Sequence, residues 1–290
     1  MDKNRNNEKI NINNNNNPNN PYYSKDTEEK LLFIRHGETF FNSDPDKTGR
    51  KTNYKYIDSK LTTKGIEQSK ALQKILNKLT IEVIYISPMY RAFQTVFYAL
   101  ENHPDLSKIK VIVNPLVNEV ASCVNDYILD IKQTKKEFNM NSKIKFDWSI
   151  FDEYVKSLKW EENFYYFDYF DCFEEKKKNE IYLELRHLYS INDLISLEQK
   201  LTELSIIRYQ QDKRFESLKH LQSRFNTFLD YIKEKHKNTL GNKESKILVV
   251  THTSFIKCAT ERNPYEDEDI QDYHPNAYSS KNCEIISIKL

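Results

Sequence analysis

The chain has 290 residues, 38% of them apolar and 30% charged, and only four glycines. With Gly37, Gly49, Gly65 and Gly241 at those spacings, neither the G-x-G-x-x-G dinucleotide loop nor the P-loop can be spelled, which excludes nucleotide chemistry of those two kinds. The 44 Lys plus Arg against 43 Asp plus Glu leave a formal charge of +1, so no whole-protein field draws in nucleic acid and any phosphate preference must be local.

Residues 1 to 29 are dominated by Asn, including Asn13 through Asn17, with Pro18 and Pro21 and almost nothing apolar. Such a segment cannot offset its own ordering entropy and is expected to be a disordered extension. From Lys30 short apolar runs alternate with helical periodicity. Leu31 to Ile34 predicts a buried strand, and Thr62 or Thr63 then caps a helix carrying Ile66, Leu72, Ile75, Leu76 and Leu79. Val83 to Ile86 predicts the next strand. Ser87-Pro88 predicts a cap with Pro at the first helical position, opening a helix with Ala92, Phe93, Val96 and Leu100. Ile109 to Val113 predicts a third strand.

Roughly residues 124 to 208 break this alternation. They are rich in aromatics and charge, from Phe146-Asp147-Trp148 through Trp160 and Tyr165-Tyr166-Phe167 to His187, and predict a mainly helical insertion. Its aromatics either pack on the main core and wall the site or form a small core of their own. The strand and helix syntax then resumes. Phe215, Leu218, Phe225, Phe228, Leu229 and Ile232 predict an amphipathic helix, Ile247 to Val250 a strand, Phe255 to Ala259 a helix start and Glu284 to Ile288 a last strand. Strands joined by helical crossovers predict an α/β class with a mostly parallel sheet covered on both faces.

Cys123, Cys172, Cys258 and Cys283 form no C-x-x-C pair, which argues against a zinc cluster or redox dithiol and suits a reducing compartment. No basic-then-apolar leader opens the sequence, and apolar runs such as Ile247 to Val250 fall far short of a bilayer span. The composition therefore predicts a soluble cytoplasmic protein without nucleic-acid or membrane partners. It leaves the oligomeric state open.

Ligands of open α/β sheets sit at the carboxyl ends of the strands. Two strands here end in histidine, at Arg35-His36-Gly37-Glu38-Thr39 and at Thr251-His252-Thr253-Ser254, and Arg91 lies just inside the helix after a third. Any one of these residues has a structural explanation, but together they converge on one crevice.

Four blocks in order carry a resemblance: Arg35-His36-Gly37-Glu38-Thr39 with Asn42; Leu61-Thr62-Thr63-Lys64-Gly65-Ile66-Glu67-Gln68; Ser87-Pro88-Met89-Tyr90-Arg91-Ala92-Phe93-Gln94-Thr95; and Val250-Thr251-His252. The chain resembles the histidine phosphatase superfamily, the phosphoglycerate mutase-like proteins. The resemblance implies a three-layer α/β/α sandwich over residues 30–290 with the insertion at about 124–208. It also implies that His36 is a nucleophile, that Arg35, Arg91 and His252 hold phosphate, with His252 a third donor if protonated, and that Asn42 adds a contact. Gly37 would let the backbone turn tightly behind His36. Glu119, in Asn114-Pro115-Leu116-Val117-Asn118-Glu119-Val120, matches the family's proton donor, with Asp126 in reserve. No metal or cofactor is implied, and the partner is a small phosphorylated substrate.

Two departures bear on function. The family often has Gly where this chain has Thr253, whose hydroxyl then becomes a further phosphate contact. Val120-Ala121-Ser122-Cys123 lacks the Arg-containing, Tyr-Gly stretch of cofactor-dependent mutases, which favours hydrolysis of a phosphohistidine over its retention. The leading expectation is a metal-independent phosphomonoesterase; the alternatives are a phosphoglycerate mutase or bisphosphoglycerate-handling enzyme, and a catalytically weak relative that binds other proteins. Lys156, Lys159 and Arg186 of the insertion are candidates to meet an anionic substrate at the pocket mouth, with solvated surface charge the alternative reading.

Overall fold

The computed structural model describes residues 31–210, 216–241, 244–261 and 279–288. The Asn-rich stretch 1–29 and Phe215 lie outside the described residues. Six strands, β1 (Leu31–Arg35), β2 (Thr80–Ile86), β3 (Lys110–Val113), β4 (Phe146–Asp147), β5 (Ser245–Thr251) and β6 (Ile285–Ile288), form one sheet in the order β4-β3-β2-β5-β1-β6. Only β6 runs antiparallel to its neighbour, β1. The helices in chain order are α1 (Phe40–Ser43), α2 (Thr63–Ala71), α3 (Gln73–Leu76), α4 (Tyr90–Leu100), α5 (Ile131–Asn141), α6 (Ser149–Leu158), α7 (Glu175–Ser190), α8 (Leu194–Gln210), α9 (Leu218–Lys235), α10 (Lys237–Gly241) and α11 (Thr253–Glu261).

Strand side chains alternate between faces, and both faces here are apolar. Leu32, Ile34, Ile84, Ile86, Leu248 and Val250 share one core with Phe93, Val96 and Leu100 of α4. Leu31, Phe33, Val83, Tyr85, Ile247 and Val249 share another with Phe225, Phe228 and Ile232 of α9 and Phe255 of α11. The result is a three-layer α/β/α arrangement around a mostly parallel sheet.

Residues 124–208 hold α5 to α8, but also β4, which extends the sheet by pairing with β3 at Val111↔Phe146. Two residues are too few to show a period of 2 in sequence. The aromatics of this stretch make no separate core: Phe151, Tyr165, Tyr166, Phe167, Tyr169 and Phe170, all fully buried, belong to the cluster that covers one sheet face. Trp148 stacks on Phe93 of α4 with centroids 5.2 Å apart and so ties the stretch to the central layer.

Several local expectations need correction. Helix α4 starts at Tyr90 rather than Pro88, and its N-cap Met89 makes no side-chain cap bond. Asp58 supplies the missing acceptor from outside, its Oδ1 taking the Tyr90 N–H at 3.0 Å. Ser87 is free to turn toward the sheet edge instead. Thr62, not Thr63, caps α2, its Oγ1 accepting from Gly65 N at 3.0 Å. Glu284 precedes β6 rather than opening it. No helix among the described residues is long and apolar enough to cross a membrane.

Candidate active site

Strand register brings the two histidines together. β1 and β5 are parallel neighbours with Arg35 opposite Thr251, so the next residue on each strand, His36 and His252, emerges at the same level. His36 N–H donates to Thr251 O at 3.1 Å, and the two rings lie 5.1 Å apart between centroids. β2 ends at that level too, since Ser87 N–H donates to Val250 O at 3.1 Å. Arg91 is the second residue of α4, and Glu119 follows the 3-10 turn Pro115–Val117 after β3.

His36 is 3% exposed, with its Nδ1 2.8 Å from Gly37 O. A carbonyl can only accept, so Nδ1 carries the proton and Nε2 keeps a free lone pair. Burial, then the charges of Arg91 and Arg35, hold the imidazole well below its ordinary value, so it is neutral near pH 7. Arg35 donates from Nη1 to Ser280 O at 2.7 Å, while its buried Nε has no partner. Thr253, first residue of α11, likewise leaves its buried Oγ1 unpaired. Both unmatched polar atoms lie at the strand ends that carry the histidines, where a bound anion would give them a partner.

The bonds of His252 bear on the condition for its being a third donor. Its Nδ1 accepts from Arg91 Nε at 3.3 Å, and its Nε2 lies 2.7 Å from Ser87 Oγ, which donates onward to Asn118 Oδ1 at 3.0 Å. This chain of bonds needs a neutral ring with the proton on Nε2. Burial, then Arg91 and His36, push its titration well below the ordinary value, in agreement. Arg91 itself is 1% exposed and also donates from Nη1 to Asn125 O at 2.8 Å.

Glu119 is partly exposed and accepts from its neighbour Val120 N–H at 2.9 Å. Burial, then the nearby Asp126, raises its carboxyl above the ordinary value, the direction a proton donor needs. The reserve candidate Asp126 is engaged elsewhere. Its Oδ2 accepts from Ser122 N–H at 3.1 Å, Ser122 Oγ at 2.9 Å and Cys123 N–H at 3.0 Å, and its Oδ1 lies 3.6 Å from Arg91 Nη2. It anchors the arginine and the turn.

Asn42 uses its Oδ1 to accept from Thr39 N–H at 3.2 Å and Thr39 Oγ at 3.1 Å, a capping box that fixes α1 behind the site. Asn282 was invisible to sequence reading: its Nδ2 donates to His36 O at 2.9 Å from a segment 246 residues away. No local motif marks such a partner. Arg186 is bound to Glu161 at 2.7 Å on the surface, and Lys156 and Lys159 are exposed.

The glycine behind the nucleophile acts by space, not by a special turn. No described glycine has positive φ. A Cβ on Gly37 would stand 2.6 Å from Gly65 O, so the loop and the first turn of α2 are in backbone contact.

Asp58, at φ 44°, is pushed by burial from 3.8 up to about 6 against the pull of Arg91. A folded acid that holds its proton more tightly than the unfolded chain adds stability at low pH and loses it as pH rises from about 4 to 6. Asn tolerates this backbone region and still accepts from Tyr90 N–H. Asp58→Asn is therefore expected to unfold with about 1 kcal/mol more stability at pH 7.5 and a flatter profile between pH 4 and 6. Chemical denaturation across that range checks it; an unchanged profile contradicts it.

A mostly parallel α/β sheet, with two histidines at adjacent strand ends and Arg35 and Arg91 beside them, is the frame of this chain. Within it, residues 31–137 match the model of the histidine phosphatase superfamily (branch 1), which confirms the resemblance over that segment. The chain is 31% identical over 115 residues to the "Probable phosphatase" of Schizosaccharomyces pombe, covering 38% of this chain and 51% of that protein. It is 33% identical over 89 residues to fructose-2,6-bisphosphatase TIGAR B of Danio rerio, covering 31% and 33%. The chain thus spans about half the length, or less, of these curated relatives. Among solved structures, it aligns with a mycobacterial glucosyl-3-phosphoglycerate phosphatase at TM-score 0.46 and 14% identity, over 89% of each chain.

Proposed function

We propose that the protein hydrolyses phosphomonoesters through a phosphohistidine on His36. The observation that carries this reading is the bond from His36 Nδ1–H to Gly37 O, which leaves Nε2 as a neutral nucleophile flanked by Arg35, Arg91 and His252. Nε2 attacks phosphorus, the bond to the leaving oxygen breaks, and Glu119 gives that oxygen its proton. Water then attacks the phosphohistidine, Glu119 takes the proton back, and inorganic phosphate leaves. The transition state spreads negative charge over the equatorial oxygens, and the planar forks of Arg35 and Arg91 match them. The unpaired Arg35 Nε and Thr253 Oγ1 supply further donors. A phosphate dianion beside His252 would favour its protonated form.

Hydrolysis is favoured over isomerisation by the stretch after Glu119. Residues 120–126 carry no cationic side chain. Their backbone is tied to Glu216 at Ala121 and to Asp126 at Ser122 and Cys123, so nothing there is placed to grip a second phosphate.

Rapid quenching during turnover of a radiolabelled phosphate ester is expected to trap an acid-labile, base-stable label in the wild type and none in His36→Ala. Full turnover in His36→Ala would sink the reading. Faster formation of 2-phosphoglycerate than of free phosphate from 3-phosphoglycerate and a bisphosphate primer would establish the mutase instead. A folded protein inert toward a broad ester panel would establish a binding protein.

A further inference from the structure

A buried ion pair stands behind the loop that carries Glu119. Glu216 is 0% and Arg224 4% exposed. Arg224 Nε and Nη2 donate to the two Glu216 oxygens at 2.7 and 2.9 Å, a bidentate fork. Burial alone would raise the Glu216 carboxyl, but Arg224 and His220 hold it below its ordinary value. The pair then reaches the loop on both sides of the acid. Arg224 Nη1 donates to Leu116 O at 2.5 Å and to Asn118 O at 3.4 Å. Glu216 accepts from Ala121 N–H at 3.3 Å, and its own N–H donates to Ala121 O at 3.3 Å.

Two further elements brace the same segment. Thr251 Oγ1, one residue before His252, donates to Val117 O at 2.5 Å. Tyr169 donates to Pro115 O at 3.3 Å, and its ring lies 4.5 Å from the Arg224 guanidinium carbon. Every residue from Pro115 to Ala121 except Val120 is therefore held, by the contacts above, by Leu116 N–H donating to Asn114 Oδ1 at 2.9 Å, or, for the Glu119 carboxylate itself, by the Ser254 side chain of α11. A buried pair is weak support for stability, since apolar replacements often fold as well. What it supplies here is position: the acid's flanking carbonyls and amide are held relative to the strand end that presents His252.

We infer that the Glu216–Arg224 pair is a positioning device that sets the Glu119 carboxyl for proton donation to the leaving oxygen, an inference that rests on the reading of Glu119 as the proton donor. In the phosphoryl-transfer step such a device matters only where the leaving group needs a proton. An alkyl phosphate leaves as a strongly basic alkoxide and depends on the acid; p-nitrophenyl phosphate leaves as a stable phenolate and does not. Arg224→Lys keeps the charge but not the fork.

The experiment compares kcat/KM, which reports the steps up to release of the leaving group, for p-nitrophenyl phosphate and glycerol phosphate in wild type, Glu119→Gln, Arg224→Lys and the apolar double variant Glu216→Leu/Arg224→Met, with vanadate inhibition as a measure of the intact phosphate pocket. In kcat/KM Glu119→Gln is expected to lose about 10² to 10⁴-fold on the alkyl ester and far less on the aryl ester, while kcat falls on both because the attack of water also uses Glu119. Arg224→Lys and the double variant are expected to lose about 10 to 100-fold on the alkyl ester alone, with unchanged vanadate inhibition. Loosening the loop also solvates Glu119, so the basic limb of the alkyl pH profile should move to lower pH. Equal losses on both esters, or none, in the pair variants while Glu119→Gln discriminates would overturn the inference. Failure of Glu119→Gln to discriminate would instead overturn the reading of the acid on which it rests.

Discussion

Replacing Arg91 by alanine is expected to lower kcat/KM on aryl and alkyl phosphates alike by about 10³-fold, because the transition-state charge loses one of its two planar forks. Arg91→Lys should recover only part of the loss, since a point charge restores neither the fork nor the Nε bond to His252. Stability should respond much less. Removing the side chain opens a cavity and deprives Asp126, Asn125 O and His252 Nδ1 of a partner, but Asp126 keeps the Ser122 and Cys123 donors. The loss also relieves a cation packed against two buried imidazoles.

That relief has a measurable sign. After burial, Arg91 is the largest influence depressing both His36 and His252. Histidines that refuse a proton in the fold but accept it when unfolded make stability fall as pH drops below about 6.5, the unfolded value. In Arg91→Ala both titrations should move up toward the ordinary value in NMR, and the acid-side loss of stability should soften. A variant with near-normal turnover, or with unchanged histidine titrations, would contradict the placement of Arg91 as the cation of this site.

The sheet and the two histidines were legible because their signals are local. Leu31 to Ile34 and Ile247 to Val250 are unbroken apolar runs, which only strands buried on both faces explain, and one residue, Arg35 or Thr251, separates each from its histidine. Register then does the rest. What sequence could not show is pairing at long range: Asn282 on the His36 carbonyl, Asp58 on the start of α4, and Glu216 and Arg224 around the Glu119 loop. The state of His252 was hidden for the same reason, since its neutrality depends on Arg91 and Ser87 from two other elements. The aromatic stretch gave its burial by composition, but not the fact that its rings join the main core through Trp148 and Phe93.

The second large effect concerns Gly65, a helix residue where alanine would ordinarily be favoured by about 1 kcal/mol. A Cβ there would stand 2.0 Å from Glu38 O, 2.8 Å from Glu38 N and 2.9 Å from Glu38 C, all backbone atoms two residues beyond the nucleophile. Neither side can yield cheaply. Glu38 O accepts the Thr62 N–H at 2.9 Å and Glu38 N–H donates to Gln68 Oε1 at 2.9 Å, so the loop is clipped to the very helix that would push it away. Relief requires the first turn of α2 and the His36 loop to separate by about an ångström, a displacement that can cost about 10²-fold in rate when it misaligns a nucleophile. Gly65→Ala is expected to lose about 2 to 3 kcal/mol of stability despite its better helix propensity. Activity should fall by about 10²-fold in the fraction that remains folded. Gly49→Ala is the control. Its Cβ would meet only the Asp46 carboxylate, the end of a side chain in an exposed turn, which can swing aside at the cost of its bonds to Thr48 and Gly49 N–H. That variant should stay within about 1 kcal/mol of wild type with full turnover. Thermal denaturation and aryl phosphatase assays on the two variants side by side decide the matter. A Gly65→Ala protein as stable and active as Gly49→Ala would mean that the contact between the His36 loop and α2 is not what holds the nucleophile in place.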